Sequence, residues 1–147
     1  MGTAREEILQ YAVKLLSVRD YTIKELHQRL TSKFGEIPDD AIRTLIAKRF
    51  LNDRRYAENY IAKRKARGAV RLRDELVAKG IDPDLADEML GLTDWPSLHE
   101  ALAAKMVDWN LRAPLQPRDA ARLFRALARL GYEEDAIREV IAQLHEQ

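Results

Sequence analysis

The chain has 147 residues, 46% of them hydrophobic, and no cysteine. This suits one ordinary domain or a short array with a buried core, and it excludes a disordered chain, disulfides and thiolate chemistry. Net charge is only +1, residues 1–10 carry Arg5, Glu6 and Glu7 in place of an apolar signal core, and no apolar run nears the roughly 20 residues of a bilayer span, so a soluble, cytoplasmic protein is expected.

Helical periodicity runs throughout, with no alternating strand pattern of useful length. The first helix is predicted from about Arg5 to Ser17, with Thr3 and Glu6 in capping-box spacing and Ile8, Tyr11, Ala12, Leu15 and Leu16 as its apolar stripe. A second starts after Thr22, with Glu25 in the reciprocal position, and buries Ile23, Leu26, Leu30 and Phe34. A third begins near Pro38, a favoured first-turn residue, and presents Ile42, Leu45, Ile46 and Phe50. The fourth follows Asn52 or Asp53 as cap and runs to about Ala66, ending at Gly68. The fifth, Val70 to Lys79, stops at the C-cap glycine Gly80, and Asp82-Pro83 opens the sixth. After a break at 91–96, a seventh runs from about Ser97, with Glu100 completing a capping box, to Asn110. The eighth spans Arg118 to Leu130 and ends at Gly131; the ninth spans Glu133 to Leu144.

One register recurs. Leu72, Leu76, Gly80, Ile81 and Asp84 are each followed 51 residues later by Leu123, Leu127, Gly131, Tyr132 and Asp135. A looser copy precedes them at Leu26, Leu30, Ile37 and Asp40, with two extra residues around Phe34 and Gly35. A helix pair joined by a tight turn cannot bury its apolar stripe alone, whereas stacked units can. The fold class expected is therefore all-α: an elongated array of three tandem three-helix repeats with helix-turn-helix-like units. The repeats fall at 1–51, 52–95 and 96–147. No apolar stripe is left over, so a monomer is expected.

The near-zero net charge hides a segregation. Residues 43–79 hold 12 Lys and Arg against 4 Asp and Glu, a net of +8, and the remainder carries −7. Such a block either steers an acidic partner or is a solvated helix face whose long stems cover apolar surface. With Arg55 at zero degrees on a helix of about 3.6 residues per turn, Ala57, Tyr60, Ile61 and Arg64 gather on the far side. Arg64 thus reads as structural, and Arg55, Lys63 and Lys65 or Arg67 point outward.

No positive case for catalysis arises. GxGxxG, P-loop, HExxH and GxSxG patterns are missing. His27, His99 and His145 are scattered, without metal-ligand spacing. Asp39-Asp40 and Glu133-Glu134-Asp135 sit at predicted helix starts, where the macrodipole favours acid. Trp95 and Trp109 read as core or boundary anchors rather than base-stacking platforms.

The segment from Leu51 onward resembles the RecX family of bacterial recombination regulators. The family string of Leu-Asp-Asp-x-Arg-Phe-Ala, an Arg, a glycine-rich turn, Arg-Ile-x-x-Glu-Leu and Lys-Gly-Ile is matched in order. Leu51, Asn52, Asp53, Arg55, Tyr56 and Ala57 come first, then Arg64 and Gly68, then Arg71, Leu72, Glu75 and Leu76, and finally Lys79, Gly80 and Ile81. Leu15, Leu16, Arg19, Glu25 and Leu26 resemble the first repeat, and Leu127, Gly131, Tyr132 and Ile137 the third. Asn52 departs from Asp but can still cap a helix, Tyr56 replaces Phe, and Ala66 and Ala69 replace a glycine and a proline around the turn.

No cofactor or metal is expected, and the resemblance implies a protein that is not an enzyme and binds the RecA–DNA filament along its groove. There it would modulate recombinase, ATPase and coprotease activities, usually by inhibition. On this reading Arg55, Lys63, Lys65, Arg67, Arg71 and Arg73 form the electrostatic contact set. Arg19, Glu25, Asp53, Tyr56, Arg64, Gly68, Gly80 and Gly131 hold the units together. Two other readings stay open: a direct, sequence-independent DNA binder, favoured by the +8 block, and a generic helical adaptor.

Overall fold

A computed structural model of the chain describes residues 3–145, His145 by its backbone only. Among the described residues the regular elements are nine α-helices and one 3-10 turn: α1 (Ala4–Val18), α2 (Ile23–Phe34), α3 (Asp39–Ala47), α4 (Asp53–Lys63), the 3-10 turn Lys65–Arg67, α5 (Ala69–Ala78), α6 (Pro83–Gly91), α7 (Leu98–Asp108), α8 (Pro117–Arg129) and α9 (Glu134–His145). The protein is all-α.

Local chemistry sets the helix starts. Thr3, Thr22 and Ser97 each accept from the backbone N–H three residues on, while Glu6, Glu25 and Glu100 reach back to the cap N–H, three complete capping boxes. The helix ends are as regular. In α3, α5, α7 and α8 the chain turns through a left-handed residue, Arg49, Gly80, Asn110 and Gly131 respectively. In each case the next N–H donates back to a carbonyl of the last turn: Phe50 to Leu45 at 2.9 Å, Ile81 to Leu76 at 3.0 Å, Leu111 to Met106 at 2.9 Å and Tyr132 to Leu127 at 3.3 Å. This Schellman pattern satisfies carbonyls that a helix end otherwise leaves unpaired.

The chain folds as two compact units. The first holds the residues up to Lys63 together with Arg73–Leu92. In it α1 packs on α2 and α3, and α4 on α6. Ile8, Ala12, Leu26, Leu30, Ala41, Leu45 and Leu51 form one of its cores. The second unit holds Arg64–Leu72 and the residues from Thr93. There α8 packs on α7 and α9 around Leu102, Leu115, Leu123, Leu127, Ile137 and Ile141. The recurrent leucines Leu26, Leu30, Leu72, Leu76, Leu123 and Leu127 are all 0% exposed, so the register read from sequence is the register of burial.

Several expectations are corrected. Phe50 was expected on the buried stripe of the third helix, but it is 41% exposed and Leu51 is 1% exposed. The left-handed Arg49 reverses the chain and hands the buried slot to the next residue. Ile46 is also 41% exposed. The fourth helix stops at Lys63 rather than Ala66. The bonds from Arg67 N–H to the Arg64 carbonyl and from Gly68 N–H to the Lys65 carbonyl tighten the following residues into a 3-10 turn. Arg64 therefore lies beyond the helix and not on its apolar face. Gly91 closes α6 instead of breaking the chain. His27 and His99 are exposed, and the side chain of His145 lies outside the described residues.

Candidate partner-binding site

The basic residues singled out by sequence divide between the two units: Arg55, Lys63 and Arg73 belong to the first, and Lys65, Arg67 and Arg71 to the second. Their environments differ. Lys63 ends α4 and Lys65 opens the 3-10 turn; both are exposed. Arg67 and Arg71 are exposed as well, and each engages another group of the protein, as does Arg64.

Two of the six are visibly committed inside the fold. The Arg55 guanidinium donates to the Arg49 carbonyl at 3.1 Å and the Phe50 carbonyl at 3.5 Å. It thus braces the one Schellman turn whose left-handed residue is a long-chain amino acid, a conformation costly for any residue with a Cβ. The Arg73 guanidinium holds Asp87 in a two-pronged pair, 2.6 Å from Nε to Oδ1 and 3.3 Å from Nη2 to Oδ2. That hydrogen-bonded pairing raises the Arg73 pKa and lowers that of Asp87. Sequence reading missed Asp87, although Arg73 and Asp87 stand seven residues on either side of Gly80, where a helix hairpin brings side chains together.

The residues assigned to holding the fold together make these contacts. Asp53 accepts from the Ile23 N–H at 2.8 Å, tying the start of α4 to the start of α2. Burial raises its pKa, the Ile23 N–H opposes that, and the Glu25 charge adds to it. Glu25 closes the Thr22 capping box at 3.0 Å. The Arg19 guanidinium lies 3.7 Å from the centre of the Tyr21 ring and donates to the Asp20 carbonyl. Tyr56 stacks on Tyr60 with ring centres 6.0 Å apart, and the Tyr60 hydroxyl donates to Glu75 at 2.6 Å.

The glycines mark close approaches. A Cβ on Gly80 would meet the Lys24 Cβ at 2.5 Å, and one on Gly68 would meet the backbone of Leu130 at 3.0 Å. A Cβ on Gly131 would meet the Val70 side chain at 3.7 Å, an ordinary van der Waals distance. Two contacts had no sequence signature at all: the Thr22 hydroxyl on the Lys79 carbonyl and the Tyr132 hydroxyl on the Pro96 carbonyl. Among the described residues no three His, Cys, Asp or Glu side chains gather as a metal site, and no helix is long and apolar enough to cross a membrane.

Residues 52–90 match the family model described as RecX, second three-helix domain. The chain is also 34% identical over 142 residues to Regulatory protein RecX of Chromohalobacter salexigens, covering 92% of this chain and 91% of that one. The chain belongs to the RecX family. Regulatory protein RecX of Haemophilus influenzae is 34% identical over 140 residues, covering 90% of this chain and 91% of that protein. The crystal structure of RecX from Lactobacillus salivarius has the same fold, with a TM-score of 0.71 over 97% of both chains at 23% identity. In this RecX family member the signature string is largely scaffold. Leu51, Ala57, Leu72, Leu76 and Ile81 are at most 2% exposed, and Asp53, Glu75 and the glycines join helices.

Proposed function

We propose that this RecX family protein is a non-enzymatic modulator of the RecA recombinase that binds in the groove of the RecA–DNA filament and inhibits its ATPase, strand-exchange and coprotease activities. The reading extends to regulation of DNA repair and the SOS response in the cytoplasm. The observation that carries it is kinship with proteins named as regulators over nearly the whole chain. The basic residues between Arg43 and Lys79, set among acidic flanks, support an electrostatic contact with acidic RecA surface or nearby DNA. Lys63 and Lys65 are the strongest members of that contact set, since neither has a carboxylate partner among the described residues. Arg55, Arg67, Arg71 and Arg73 complete it, the first and last through faces their internal bonds leave open.

The division into repeats at 1–51, 52–95 and 96–147 and the monomeric state belong to the same proposal. A filament is itself a repeat, so successive units contacting successive protomers would add weak contacts through high effective concentration.

The net charge of +8 over residues 43–79 favours one second reading, direct DNA binding without sequence preference. Co-sedimentation with RecA, with and without DNA, over a salt series tests the pair. The regulator reading expects binding that requires RecA. Equal binding to bare DNA, falling steeply with salt, would replace it with the second.

A further inference from the structure

The second compact unit contains an apolar cavity of about 430 Å³, within the range of sites that take a discrete ligand. One wall is the stretch after α4, with Ala66, Ala69 and Val70; facing it are Ala101 and Ala104 of α7 and Leu130 at the end of α8. Trp95 and Tyr132 close the ends, and the bond from the Tyr132 hydroxyl to the Pro96 carbonyl, 2.5 Å, pins the two sides of that rim. Gly68, where a Cβ would meet the Leu130 backbone at 3.0 Å, lets the first wall pack close against the end of α8.

The charged groups around this cavity sum to a net positive charge. Lys65 and Lys105 line it against a single carboxylate, Asp108. Among the described residues neither lysine has an ion-pair partner; the Lys105 ammonium instead lies 5.5 Å from the Trp109 ring centre. Elsewhere Arg5, Arg54, Arg73 and Arg138 are all paired with carboxylates. An apolar hollow with two lysines outside any ion pair at its edge is complementary to an apolar side chain carried between acidic neighbours. A nucleobase fits less well, because the mostly apolar lining would leave its polar edge unpaired.

We infer that this cavity is a docking site for an acidic protein segment that inserts one large apolar side chain, with Lys65 and Lys105 contacting the flanking carboxylates. The inference stands apart from the RecA reading, and its test contains no RecA.

The probe is a short synthetic peptide with one leucine between aspartate and glutamate flanks, titrated into the full-length protein labelled for amide NMR. Saturable shifts are expected at the amides of Ala66, Ala69 and Ala104 and at the Trp95 indole. Replacing the peptide leucine by alanine should weaken binding about tenfold, the loss typical of an anchor side chain. Lysine flanks should abolish it. Ala104→Trp, at an exposed position where folding is readily checked by circular dichroism, should fill the cavity and remove the response, and Lys65→Glu with Lys105→Glu should do so by charge. The inference is overturned by absent or non-saturable shifts. It is equally overturned by undiminished binding to Ala104→Trp, or by an oligothymidylate strand that moves the same resonances more strongly than the peptide.

Discussion

The hydroxyl of Thr22 donates to the carbonyl of Lys79 at 2.6 Å while accepting from the N–H of Glu25 at 3.1 Å. Thr22 is 0% exposed, the one buried polar or charged residue among the described residues. One oxygen therefore caps the start of α2 and satisfies a carbonyl at the end of α5, 57 residues away. Beside it, Gly80 lies against the stem of Lys24, so the glycine turn and the capping box interlock.

Thr22→Val keeps the shape and removes both bonds. A lost cap and an unpaired buried carbonyl should together cost about 2 to 4 kcal/mol, whereas Thr22→Ser should cost about 1 kcal/mol or less. Urea unfolding followed by circular dichroism measures both. A larger loss for Ser than for Val would show that the methyl group, not the hydroxyl, matters.

Gly35 and Gly68 offer a controlled comparison of backbone strain with crowding. Both have positive φ with extended ψ, 78° and −144° at Gly35 and 84° and 158° at Gly68, a region close to glycine-only. A Cβ at Gly35 would meet nothing within 4 Å, whereas at Gly68 it would press on the Leu130 backbone at 3.0 Å. Gly35→Ala should therefore cost about 1 to 3 kcal/mol from strain alone. Gly68→Ala should cost about 1 to 3 kcal/mol more from overpacking. Unfolding midpoints of the two variants decide the order.

Asp53 makes a pH-dependent prediction. Burial raises its carboxyl above the ordinary 3.8, so the folded chain holds this proton to higher pH than the unfolded chain. Through the window from 3.8 up to the raised value, the folded state binds more protons, and this group's contribution to stability falls as pH rises. Asp53→Asn removes that loss and keeps an oxygen for the Ile23 N–H, so it should gain on the wild type as pH rises through the window. Asp53→Ala leaves the N–H without an acceptor and should cost about 1 to 3 kcal/mol at neutral pH. Unfolding in urea at acidic and neutral pH checks both signs.

Much of this fold was legible because its determinants are local. The capping pairs Thr3 with Glu6, Thr22 with Glu25 and Ser97 with Glu100 lie three residues apart and form as their spacing implies. The Leu72–Leu76–Gly80 spacing encodes both the buried face and the turn that ends it. Arg49 misled because nothing in its side chain announces a left-handed turn; that conformation is stabilised by the Leu45 carbonyl and the Arg55 guanidinium. The candidate contact set was less legible. A run of lysines and arginines reads alike whether a cation is engaged, as Arg73 is by Asp87, or left without a carboxylate, as Lys65 is. That difference depends on which helix folds back beside it.

The same difference ranks the contact set. Lys63→Glu with Lys65→Glu should weaken binding to the RecA–DNA filament about tenfold, as removal of steering charges does. Arg73→Ala, whose charge is already matched by Asp87, should change it about twofold or less, as for exposed paired charges. Filament co-sedimentation at fixed salt compares the two. A larger effect from Arg73 would reverse the ranking.

The central claim is tested most directly by DNA-stimulated ATP hydrolysis by RecA, with this protein titrated in at fixed salt. A fall in hydrolysis at substoichiometric amounts of the protein is the predicted result, since one molecule in the groove would act on several protomers. Unchanged hydrolysis up to equimolar amounts, with the protein verified as folded and helical, would contradict it.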